Sequence, residues 1–188
     1  MATEVTAADT SPWVVASSRR RIDDPWFRVR QDDLVLPSGH EINGCFVWES
    51  PDIATVVPVT PGGRFVLCRQ YRHAVGRVML QFPAGGVGDA ESAEDAARRE
   101  LEEETGYMAG NLEPLGRTAA YPTKLSGWHH LFLARDVVAG GCKADDPHEP
   151  TQVVTVTAAE VLQLLDSGQF QVGDSVSAAL LALRRLGI

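Results

Sequence analysis

Residues 85–107 read Gly-Gly-Val-Gly-Asp-Ala-Glu-Ser-Ala-Glu-Asp-Ala-Ala-Arg-Arg-Glu-Leu-Glu-Glu-Glu-Thr-Gly-Tyr. The run divides into two. Gly85, Gly86 and Gly88 give a backbone free to take unusual conformations and to approach a ligand closely. Residues 93–105 are Ala, Glu, Arg and Leu apart from Asp95 and Thr105, mostly strong helix formers. Ser92 followed by Asp95 predicts the start of this helix and Gly106 its end. At about 100° per residue, Arg99, Glu100, Glu103 and Glu104 fall within an arc of roughly 140°. Ala97 and Leu101 lie on the adjoining, core-facing side. Three carboxylates on one face repel one another, and a hard divalent cation such as Mg²⁺ or Mn²⁺, which prefers oxygen ligands, relieves that repulsion. An ordinary solvated acidic face is the other reading of Glu102-Glu103-Glu104 taken alone.

Outward from this stretch, the chain reads as short strands with helices near its end. Val14-Val15, Trp26–Arg30 leading into 32–36, and Cys45–Trp48 are predicted strands, with Pro37-Ser38-Gly39 as a hairpin turn. Ile53–Thr60 and Arg64–Gln70 flank the Pro61-Gly62-Gly63 turn. Leu112–Ala120, His130–Ala134 and Val153–Val156 are further strands. Thr157 with Glu160 caps a helix through Leu165, and Ser175–Leu186 forms the last one. The fold class is α+β, without the strict strand–helix alternation of a doubly wound sheet. Residues 1–12 read as a flexible tail, 13–50 as an N-terminal strand region and 51–188 as the main domain.

The bulk composition narrows the function. The 188 residues carry 17 Lys and Arg against 25 Asp and Glu, a net charge of −8, with 44% hydrophobic residues. That balance builds an ordinary core and argues against a nucleic-acid partner, whose footprint is a basic face. No apolar run reaches the length of a membrane span and residues 1–12 lack a signal-peptide core. The three cysteines, Cys45, Cys68 and Cys142, form no CxxC and read as reduced thiols, which places the chain in the cytoplasm.

The spacing glycine, five residues, Glu, seven residues, Arg-Glu-apolar, one residue, Glu-Glu, one residue, Gly resembles the Nudix box. It is matched at Gly85, Glu91, Arg99, Glu100, Leu101, Glu103, Glu104 and Gly106, with Tyr107 in the final apolar place. The resemblance implies a Nudix fold, mixed sheets sandwiched by helices, and a hydrolase of nucleoside diphosphates linked to another moiety. It implies Mg²⁺ or Mn²⁺ held by Glu100, Glu103 and Glu104 with the Ala84 carbonyl, Arg99 orienting Glu103, and Glu91 tying loop to helix. The flanks Arg69-Gln70-Tyr71-Arg72 and Phe82-Pro83-Ala84-Gly85 are similar to those of ADP-ribose pyrophosphatases. On that resemblance Arg72 grips substrate, an N-terminal aromatic residue, Trp48, clamps the base, and the enzyme is a homodimer acting on a nucleoside diphosphate sugar.

Two positions depart from the subfamily. Gln81 stands where Glu is common, and the loop at 121–130 has no acid where a catalytic glutamate is often placed. The general base is therefore Glu103, Glu149 from the Asp145–Glu149 loop, or a histidine. Asp145, Asp146 and Glu149 also fit a plain solvated loop. His129 and His130 are adjacent, so on a strand they face opposite ways; neither suits an all-oxygen metal site. Trp13, Trp26, Phe27 and Trp128 read as core or interface. Hydrolysis of another nucleotide, or a catalytically weak binding domain, are the alternatives to the pyrophosphatase.

Overall fold

The computed structural model describes residues 9–144 and 149–188; the expectations for Met1–Ala8 and for Asp145 and Asp146 lie outside them. The chain separates into two compact units, one of residues 1–50 with 121–126, the other of 51–120 with 127–188. The first receives the 121–126 segment from within the second's sequence range.

In the smaller unit β1 (Val14–Asp24), β2 (Phe27–Val35) and β3 (Glu41–Glu49) form an antiparallel sheet in that order. The sequence suggests a strand only at Val14-Val15, yet β1 runs for 11 residues, every one exposed. Cross-strand polar pairs hold it where burial does not. Ser17 donates to Asp33 at 2.7 Å, Arg19 pairs with the same carboxylate at 3.0 Å, and Arg20 reaches Glu49 at 3.0 Å. Beneath them Asp32 is 3% exposed and accepts from Ser18 Oγ at 2.6 Å and Arg30 Nε at 2.9 Å.

In the larger unit β4 (Ile53–Val59), β5 (Phe65–Arg72), β6 (Arg77–Gln81), β7 (Ala84–Gly86), α1 (Ala93–Thr105), β8 (Tyr107–Met108), β9 (Leu112–Ala119), β10 (Trp128–Arg135), β11 (Val138–Ala139), β12 (Thr151–Val156), α2 (Ala158–Asp166) and α3 (Gly173–Leu186) follow in order. The main sheet runs β12-β5-β4-β10-β9, with β6 on β5 and β7 on β4. It is mixed, because β4 and β10 pair in parallel while their neighbours are antiparallel. Alternate residues serve two cores. Val57, Val59, Phe65, Leu67, Leu131 and Leu133 pack with α2 and α3, whereas Ala54, Val56, Val66, Phe132 and Ala134 pack with α1. A strand covered on both faces reads as an unbroken apolar run, which is what Ile53–Val59 shows. The architecture is α+β, a mixed sheet between helices.

The caps behave as their residues dictate. Ser92 Oγ accepts from the Asp95 amide at 3.0 Å, and Gly106 closes α1 in a left-handed conformation, φ 70°. Thr157 and Glu160 form a reciprocal capping box on α2. β6 and β7 were not expected as strands; they are short and lie across the Phe82-Pro83 bend.

Burial on its own raises the Asp32 carboxyl, but the hydrogen bonds from Ser18 and Arg30 outweigh it and hold the group below the usual range. The folded carboxyl thus titrates below the unfolded one. Its stabilisation is complete above about pH 4, the unfolded value, and is lost as pH falls through the lower folded value. Asp32→Ala is expected to destabilise the smaller unit by about 2 kcal/mol at neutral pH and to flatten its loss of stability in acid. Tryptophan fluorescence during unfolding at several pH values, read through Trp13, Trp26 and Trp48, measures both.

Candidate active site

The box helix presents its acids where β7 meets it. Ala96, Ala97, Leu101 and Thr105 bury against the sheet, and the neighbouring turn face carries Glu100 and Glu104. The Ala84 amide donates to Glu104 Oε2 at 3.2 Å. A Cβ at Gly85 would run into the Glu100 carboxylate, which would then have to move aside. Any side chain would fill the cradle that the carboxylate occupies.

Arg99 organises the rest. Its guanidinium donates to both oxygens of Glu91 at 2.9 Å, to Glu100 at 2.6 Å, to Glu103 at 3.1 Å and to the Gly86 carbonyl at 2.9 Å. Arg99 thus bridges Glu100 as well as the expected Glu103, and is also the means by which Glu91 ties loop to helix. Glu91 further accepts from the Gly88 amide at 3.1 Å. These partners, Arg99 first, hold the Glu91 carboxyl down at about 2, and Glu91 in turn raises Arg99, so both stay charged.

Glu100 and Glu104 have the opposite electrostatics. Burial raises both, and the Glu100 charge adds to the effect on Glu104, which is pushed up to about 7. The Cys68 thiol beside Glu104 is raised by burial and then by that carboxylate, so it stays protonated. Among the described residues no three acidic, histidine or cysteine side chains converge closely enough to ligate an ion as they stand; Arg99 bridges Glu100 and Glu103 instead. The donor set nonetheless fits a hard divalent cation. Two half-buried carboxylates repel each other, all the donors are oxygen, and the missing side chain at Gly85 leaves room for the Glu100 carboxylate.

Glu100 and Glu104 line a cleft of about 630 Å³ with Ile53, Arg72, Met79, Gln81, Ala84, Gly85, Glu149 and Asp174, among others. A smaller recess of about 100 Å³ brings Glu103 and Lys143 to the same acids. Glu149 lines both and accepts from Gln70 Nε2 at 3.4 Å. Gln81 is buried and accepts from Arg72 Nε at 2.9 Å. A neutral amide therefore aims the arginine where a glutamate would also have cancelled its charge.

The histidines diverge as adjacent strand residues must. His129 Nδ1 lies 4.0 Å from Asp174, and His130 Nε2 2.8 Å from Asp52. Trp48 belongs to the smaller unit, where its ring packs on Phe27 with centroids 5.4 Å apart. The described residues that line the cleft all belong to the larger unit. Asp174, Gln171, Val172, Val75, Met79 and Lys143 also line these sites and were missed. Their signal is tertiary, since α3 and the 140–144 segment reach the cleft only through packing.

Comparison with known proteins decides the family. A model described as the NUDIX domain matches residues 49–175. The chain belongs to the Nudix family. Among its relatives, an ADP-ribose pyrophosphatase of Bacillus subtilis (strain 168) is 32% identical over 137 residues, covering 72% of this chain and 74% of that protein. The ADP compounds hydrolase NudE of Escherichia coli (strain K12) is 30% identical over 126 residues, 67% of each. A crystal structure titled ADP compounds hydrolase superposes with a TM-score of 0.84 at 24% identity, covering 96% of this chain and 97% of that one, which shows the shared Nudix fold. The chain is accordingly a Nudix hydrolase, an enzyme of the pyrophosphatase class.

Gly85→Ala tests the cradle. Pushing the Glu100 carboxylate aside by about 1 Å is expected to lower turnover by about 100-fold while the thermal midpoint of the chain stays nearly unchanged. Steady-state kinetics with a thermal melt reads both quantities.

Proposed function

We propose that this Nudix hydrolase is a divalent-cation-dependent pyrophosphatase that cleaves ADP-ribose, or a related nucleoside diphosphate sugar, to a nucleoside monophosphate and a sugar phosphate. The observation that carries the reading is the pair Glu100 and Glu104, half-buried and mutually repelling in a cleft that also holds Arg72 and Glu149. The 32% identity to an ADP-ribose pyrophosphatase supports the substrate class.

Glu100, Glu104 and the Ala84 carbonyl, with Glu103 beside them, would hold Mg²⁺ or Mn²⁺. Such a cation, when bound, neutralises phosphate charge and lowers the pKa of water. Glu149, at the rim of both recesses, takes the proton of the attacking water. The water oxygen bonds to phosphorus, the bridging P–O bond breaks, and the leaving phosphate departs with the electron pair. Arg72, aimed by Gln81, grips a phosphate oxygen, and Arg99 keeps Glu100 and Glu103 in register. Trp48 is the proposed base clamp. Its ring is 43% exposed, and Trp26 and Phe46 of the same unit are 94% and 48% exposed. Exposed aromatics of this kind support a homodimer; the reduced thiols and acidic charge support a cytoplasmic setting. No described helix is long and apolar enough to cross a membrane.

The first experiment measures AMP release from ADP-ribose with Mg²⁺, with and without EDTA, beside GDP-mannose, NADH and dGTP. The expected result is EDTA-sensitive release, fastest from ADP-ribose; a preference for dGTP, or release that ignores EDTA, overturns the reading. Glu104→Gln is expected to cut turnover by orders of magnitude. It also relieves a buried repulsion, so in EDTA the variant melts higher by about 2–4 °C, equivalent to about 1 kcal/mol. Glu149→Gln is expected to lower kcat with KM little changed, and an unaltered kcat returns Glu149 to a solvated loop residue.

A further inference from the structure

Apart from the box acids, the cleft lining has its own character. Ile53, Val75, Met79 and Val172 give it aliphatic walls, and Gln171 and Asp174 give it polar groups; among the described residues none that lines the cleft is aromatic. A flat base finds no stacking platform on such a surface, whereas a sugar, with apolar C–H faces and hydroxyl edges, matches aliphatic walls interrupted by acceptors.

Asp174 is the unusual member of this wall. It sits in the first turn of α3, and its side chain is 9% exposed. Among the described residues its hydrogen bond comes from Thr55 Oγ1, at 2.7 Å, to Oδ2. The basic group within ion-pair range, His129 Nδ1, stands 4.0 Å from that same oxygen. Thr55 is itself fully buried, so Asp174 is fixed from behind by a residue 119 positions earlier in the chain. A carboxylate so far removed from water needs donors on both oxygens; among the described residues no hydrogen bond reaches Oδ1, and Asp174 lines the cleft.

We propose that Asp174 is a specificity-determining residue that accepts a hydrogen bond from a hydroxyl of the substrate's sugar. The proposal rests on the pyrophosphatase reading for its substrate and adds the group that reads the sugar. A site built around a buried acceptor discriminates strongly against a ligand lacking the matching hydroxyl, because the acceptor is then left unpaired.

The test compares ADP-ribose with an ADP analogue whose sugar is replaced by a hydroxyl-free alkyl group, in the wild type, Asp174→Asn and Asp174→Ala. Both kcat/KM with Mg²⁺ and binding in EDTA by calorimetry are read, with thermal melts alongside. The wild type is expected to favour ADP-ribose, and Asp174→Ala to lower kcat/KM and affinity for ADP-ribose by about 10- to 100-fold. The analogue's values change by no more than about threefold, and Asp174→Asn, which keeps one carbonyl acceptor, falls between. Equal losses on both ligands make Asp174 a support for α3 only and overturn the proposal, as does no loss on either. If the alanine variant does not fold, the isosteric asparagine variant decides by the same comparison. Binding of ADP-ribose without hydrolysis overturns the pyrophosphatase reading and leaves the binding comparison to decide this one. Absence of binding by the wild type overturns both.

Discussion

Arg99 is the interaction on which the site depends. One guanidinium joins the glycine loop, through the Gly86 carbonyl and Glu91, to the acidic face of α1, through Glu100 and Glu103. Without such a tie the loop and helix would be related only by chain connectivity, and three carboxylates on adjacent turns would splay apart. Planarity matters, because several coplanar donors in a rigid fork reach five acceptor atoms on four residues at once. The charge balance is equally specific. Glu91 absorbs most of the positive charge and stays ionised, which leaves Glu100 and Glu104 only partly compensated. The site thus stores an electrostatic deficit at one place and keeps its frame neutral elsewhere.

The sheet supplies what that frame rests on. β7 pairs with β4 and carries Ala84 and Gly85 to the helix, while β5 and β6 carry Arg72 and Gln81 to the facing wall. Both pairs of strands hang from apolar residues packed on two sides, so the polar residues of the cleft are displayed by backbone that cannot easily shift. Gln81 shows how this works locally. It is buried at the end of a strand, where an anion would pair off the arginine; an amide holds Arg72 without cancelling its charge.

Much of this was legible in residue order and some was not. The box helix, its two caps and the central strands follow from periodicity and capping chemistry that act within a few residues. So does the acid cluster, because i, i+3 and i, i+4 positions share a face whatever the tertiary context. β1 was underread because its stability comes from Ser17, Arg19 and Arg20 meeting Asp33 and Glu49 across strands rather than from alternating burial. Gln81 looked like a defect until its partner was visible. Asp174 carried no local signal at all, since its meaning depends on Thr55 and on a cleft assembled from residues over a hundred positions apart. The 121–126 segment, lying with the smaller unit, was equally silent.

The attachment of α3 has a consequence for how the molecule comes into being. The buried Ser175 hydroxyl accepts from the Phe82 amide at 3.0 Å, and Asp174 accepts from Thr55 across 119 residues. The bend that presents Ala84 and Gly85 is therefore clamped by a helix 93 residues further along the chain. Contacts this distant in sequence close late, because the entropy of a long loop must be overcome before they form. The segment before α3 carries every box residue, but the two hydrogen bonds that clamp this bend come only with α3.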